Sequence, residues 1–73
     1  ALTPEERLAL LRDQLQKHRD RLSHLQNNKR KFEGVPPRED DAFGDYLVLL
    51  GAIRREEASC AWLEECIELC GEE

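Results

Sequence analysis

A chain of 73 residues with a net charge of −5 and 37% charged side chains is one domain at most. Its acidic balance excludes a direct nucleic-acid contact of useful affinity, because phosphate contacts need a basic surface. No run of about eighteen apolar residues offers a membrane span, and no charged segment leads into an apolar one as a signal peptide would.

The first helix signal is at the start. Thr3 is a good N-cap, Pro4 suits the first helical position, and Glu6 stands where a capping box needs it. Leu2 and Leu8 are placed to staple the entry, one residue further apart than usual. Leu8, Leu15 and Leu22 then recur every seven residues, and Leu11, His18 and Leu25 repeat beside them. This is the stripe of a coiled-coil seam, and its register continues to Lys29 and Phe32. The intervening Arg12, Asp13, Gln14, Gln16, Lys17, Arg19 and Asp20 suit water. A helix over about residues 4–33 is expected, roughly 45 Å long at the usual rise. Such a helix needs a partner along its length.

Residues 34–40 break the pattern. Gly34 can cap a helix, and Pro36-Pro37 cannot continue one. Asp40 or Asp41 can cap the next helix, expected over about 41–70, with Gly71 as its stop. The short connection implies antiparallel neighbours. The second helix is apolar over more than half its circumference. It carries Phe43, Tyr46, Leu47, Leu50 and Ile53, then Ala58, Cys60, Ala61, Trp62, Leu63, Cys66, Ile67, Leu69 and Cys70. Glu57, Glu64, Glu65 and Glu68 form the wet side. A helix apolar on more than one face must be buried on more than one face.

The expected architecture is therefore all-α: one domain over residues 1–73, a long antiparallel hairpin pairing as a homodimer into a coiled-coil or four-helix arrangement. The residues expected in the core or dimer interface are Leu8, Leu11, Leu15, Leu22, Leu25, Leu50, Trp62, Leu63, Cys66, Ile67 and Leu69.

Chemistry-bearing residues are sparse. Three cysteines make an odd number and no closed disulfide framework, which suits a reducing cytoplasm. Cys66 and Cys70 share a helix face, with Cys60 turned away, but no Cys-x-x-Cys or second pair completes a tetrahedral metal site. Apolar packing is the simpler role for these thiols. His18 lies in the stripe with no carboxylate matched to it in sequence, and His24 lies beside it. Neither forms a triad. The acidic pairs Glu56-Glu57, Glu64-Glu65 and Glu72-Glu73 suit a solvated face with intrahelical partners such as Arg54 and Arg55. The basic cluster Lys29-Arg30-Lys31 fits a helix C-terminus. No catalytic residue, cofactor or metal ligand is expected, and no nucleotide-binding glycine pattern is present.

The opening Pro4-Glu5-Glu6-Arg7-Leu8-Ala9-Leu10-Leu11, followed by the Leu15, Leu22 and Leu25 stripe, resembles the C-terminal domain of PadR-like transcriptional regulators. So does the closing tract of Tyr46-Leu47-Val48-Leu49-Leu50-Gly51, Glu57-Ala58 and Ala61-Trp62-Leu63-Glu64-Glu65. The resemblance covers nearly the whole chain. It implies a dimerisation domain that follows a winged-helix DNA-binding domain in a bacterial repressor, sets the spacing of two such domains, and meets DNA only through them. No winged helix lies within these residues. Two other readings use the same residues: a thiol, metal or small-ligand sensor built on Cys60, Cys66, Cys70 or His18, and an unrelated coiled-coil adaptor. The effector, if any, is not specified by the sequence.

Overall fold

The computed structural model describes residues 1–71. Two helices, α1 (Pro4–Arg30) and α2 (Asp41–Leu69), pack against each other, with no strand among the described residues. Among the described residues no helix is long and apolar enough to cross a membrane.

α1 begins as its local chemistry dictates. The Glu6 amide donates to the Thr3 hydroxyl at 3.0 Å, and the Thr3 amide donates to Glu6 Oε1 at 2.9 Å. Two otherwise orphaned amides are thereby satisfied. The helix ends at Arg30, three residues short of the expected end. There the ladder tightens: the Lys31 and Phe32 amides donate to the carbonyls of Asn28 and Lys29, three residues back. Lys31, rather than Gly34, is the C-cap. Gly34 instead supplies a φ of +113° within the connection, a conformation that penalises any side chain. α2 starts where the Asp40 carboxylate accepts from the Ala42 amide at 3.0 Å, and it ends against Cys70 and Gly71.

The hairpin is antiparallel. Phe32, just past α1, meets Tyr46 near the start of α2, with ring centroids 5.3 Å apart and the rings edge to face. Towards the other end, Leu15 clusters with Cys60 and Leu63, and Leu11, Leu22 and Ile67 pack around them. Among the described residues, those buried are Leu15, Ile53, Cys60 and Leu63. The molecule is thus a rod of 53 × 22 × 15 Å. Its radius of gyration, 16.5 Å, exceeds the roughly 11 Å of a compact domain of this length. Two helices make one layer of contact, so half of each helix is left facing out.

Candidate association surface

The sequence-predicted residues divide by where the hairpin puts them. Leu15 and Leu63 are buried within the chain, with Leu11, Leu22 and Ile67 packed against them. Leu8, Leu25, Leu50 and Cys66 are half-buried. Trp62 and Leu69 face outward, at 61% and 79% exposure. Helical geometry accounts for the split. Nine positions separate Trp62 from the fully buried Ile53, which is two and a half turns, so the two side chains leave α2 on opposite sides.

Trp62 does not stand alone on that far side. Steps of three and four residues lead from Val48 through Gly51, Arg55, Ala58, Trp62 and Glu65 to Leu69. This is a second seam on α2, with the 3.5-residue repeat of a coiled coil. Val48 is 72% exposed and Leu47 beside it 49%. Monomeric proteins expose single large apolar side chains routinely, but not an aligned set with a tryptophan at its centre.

The face between the helices carries the polar chemistry. Glu56 projects from α2 towards α1, where His18 Nδ1 lies 2.5 Å from its Oε1 and Arg21 Nη1 donates to its Oε2 at 3.1 Å. Arg21 Nη1 also lies 3.4 Å from His18 Nδ1. The hydrogen bond from His18 holds the Glu56 carboxyl below its ordinary range, with Arg21 assisting and burial opposing. His18 therefore does have a matched carboxylate, contrary to the sequence expectation, and Glu56 belongs to the interhelical contact and not to a solvated face. The reason it was missed is distance along the chain: 38 residues separate the partners. Nearer the rim, Arg19 Nη2 donates to Glu64 Oε2 at 2.8 Å. Arg54 and Glu57 form the expected intrahelical pair at 2.9 Å.

The three thiols are free and occupy three environments. Cys60 is buried in the core, and burial, followed by the charges of Glu64 and Glu56, pushes its thiol up. Cys66 is half-buried and Cys70 exposed. Apolar fill thus describes Cys60 and not Cys70, which lies at the helix C-cap in solvent. Among the described residues no group of three or more His, Cys, Asp or Glu side chains is placed to hold a metal. The basic cluster is partly engaged: the Lys29 ammonium lies 6.0 Å from the Tyr46 ring centroid, and Arg30 donates to Asn27 Oδ1. Gln26, Lys29 and Arg30 line only an open, shallow cleft.

Residues 1–70 match the family described as "Virulence activator alpha C-term". The chain belongs to that family. It is also 37% identical over 71 residues to the negative transcriptional regulator PadR of Bacillus subtilis (strain 168), an alignment that takes in 93% of this chain and 39% of that regulator. The chain thus spans about two-fifths of the regulator's length. No solved structure matches it. The chain is a PadR-like C-terminal domain, as the leucine stripe and the Trp62 tract indicated, and supports a transcription-regulator module.

Proposed function

We propose that this hairpin is the homodimerising module of a PadR-like transcriptional regulator. It holds two copies of a DNA-reading domain, lying outside these residues, at a fixed spacing. The observation that carries this reading is the open seam of α2 centred on Trp62. Areas support it. The chain exposes 5550 Å², whereas a compact folded chain of 8.5 kDa exposes roughly 4700 Å². The excess slightly exceeds the roughly 800 Å² that each partner contributes to a standard-size interface. A second copy is the occupant that needs no further gene product, and isologous pairing is the commonest form of association.

This role involves no catalytic step and no cofactor. Free thiols and transcriptional control both suit the cytoplasm. Contact with DNA is indirect: joining two readers lets the second dock at high effective concentration once the first is bound. A graft tests the function. The chain is fused behind a winged-helix domain that binds its half-site weakly as a monomer, and mobility shifts are run on paired half-sites. Cooperative occupancy is expected from the fusion. The 73 residues alone should retard no DNA at about 150 mM salt, where weak charge contacts are screened. Independent half-site binding by the fusion, or a retarded complex with the chain alone, contradicts the reading.

A further inference from the structure

We infer that the two copies join through α2 against α2 in antiparallel, with the two-fold axis at the level of Cys60; the inference rests on the homodimer reading above. From Gly51 to Leu69 the outward seam carries two small residues, Gly51 and Ala58, two bulky apolar ones, Trp62 and Leu69, and one charge of each sign, Arg55 and Glu65. Antiparallel seams pair positions whose numbers sum to a constant. At a sum of 120, Leu69 faces Gly51 of the second copy, Trp62 faces Ala58, and Arg55 faces Glu65. Symmetry then repeats all three contacts. Trp62 and Leu69 each meet a small residue, and the two charges meet their opposites.

The alternatives fit worse. A parallel pair sets Arg55 against Arg55 and Glu65 against Glu65, and leaves the gap at Gly51 facing another gap. The neighbouring antiparallel register puts Trp62 over Gly51 but leaves Arg55 opposite Ala58 and Glu65 without a basic partner. Like charges or an unpaired charge in a seam oppose association.

Two observations inside the chain agree. Gly51 sits in the middle of a 29-residue helix, where glycine is unfavourable. A Cβ there would meet only the tip of the flexible Arg55 side chain, at 3.5 Å. Nothing within the hairpin requires the glycine, whereas a leucine from a second copy does. Arg55 and Glu65 are both exposed and make no ion pair among the described residues. Ten positions, about 15 Å of helix, separate them within one chain, so they can pair only between copies. The arrangement also sends the two α1 N-termini to opposite ends of the dimer, roughly 40 Å apart along the seam. That is the order of the approximately 34 Å between half-sites one DNA turn apart.

Charge exchange tests the register. Dimer dissociation constants are measured by sedimentation for the wild-type chain, Arg55→Glu, Glu65→Arg and the double variant. Each single change makes two like-charge contacts and is expected to weaken the dimer by about tenfold; the double variant should restore it. In a parallel dimer neither single change alters the sign of any facing pair. As a second measurement that leaves the seam untouched, Cys70 is spin-labelled in a Cys66→Ser chain, the buried Cys60 staying unlabelled. The antiparallel seam places the labels roughly 30–40 Å apart. A dimer with labels under about 20 Å apart, or one that the double exchange fails to restore, overturns the arrangement while leaving dimerisation intact. A wild-type chain that stays monomeric overturns dimerisation and arrangement together.

Discussion

His18 on α1 and Glu56 on α2 meet at 2.5 Å across the hairpin, their side chains only 22% and 14% exposed. Arg21, one turn further along α1, holds the other carboxylate oxygen. This trio fixes the register of the two helices where the leucine stripe alone would tolerate a slip. A polar residue in a seam sets alignment because its partner exists at one position only.

Removing the carboxylate should loosen the hairpin. Glu56→Gln keeps the shape but loses the charge that both donors seek. The expected cost is about 1–3 kcal/mol, the range for charge-assisted bonds to a mostly buried group. A lower urea midpoint with an unchanged slope is the readout. An unchanged midpoint would count against a structural role for the trio.

Acid should have the same effect without a mutation. The Glu56 carboxyl titrates below its ordinary value of 4.5 when folded, the His18 hydrogen bond being the largest cause. A group depressed on folding stabilises the fold above its unfolded value. That contribution falls away as pH drops below about 4.5 and through the folded value. Wild type should therefore lose stability over this window more steeply than Glu56→Gln. Parallel acid titrations of the two chains, followed by helical circular dichroism, would disprove the assignment.

Leu63 and Trp62 are neighbours in sequence with contrasting exposure. Leu63 is 3% exposed in the core, so Leu63→Ala should destabilise the hairpin itself by about 3 kcal/mol. Trp62 is 61% exposed in the single chain, so Trp62→Ala should spare the hairpin. It should raise the dimer dissociation constant at least about thirtyfold, as loss of an interface anchor does. Fluorescence of wild-type Trp62 should shift to the red on dilution as the chains part. Equal loss of folding and pairing in both variants would contradict the division of roles.

The thiols should react in order of exposure. Cys70 lies in solvent, whereas Cys60 is buried with its thiol pushed up. At pH 8 a maleimide should modify Cys70 rapidly and Cys60 only on unfolding. Cys70→Ser should leave stability within about 0.5 kcal/mol of wild type, as surface changes do. Modification of Cys60 as fast as Cys70 in the native chain, followed by mass spectrometry of peptides, would show that the core is open.

Much of this architecture is readable from local chemistry. The Thr3–Glu6 box and the Asp40 cap act within three residues, so they are visible in the string of letters. The leucine stripe of α1 and the apolar excess of α2 follow from helical period alone. The His18–Glu56–Arg21 trio does not, because which α2 residue faces His18 depends on the relative slide of two helices. The early end of α1 at Arg30 was hidden for a related reason. Phe32 fits the heptad, but its ring turns to Tyr46 after the last carbonyls have switched to three-residue bonds. The α2 seam was half legible. Its residues were evident, yet which of them face α1 and which face away became clear only once Ile53 was placed at the contact.

The proposed closure of the open α2 seam by a second copy of the chain fixes the mass expected in solution. Sedimentation equilibrium of the 73-residue chain at micromolar concentration tests it most directly. The expected result is a mass twice the 8.5 kDa of one chain, falling towards one chain on dilution. A single-chain mass at every concentration, with full helical circular dichroism, would contradict it.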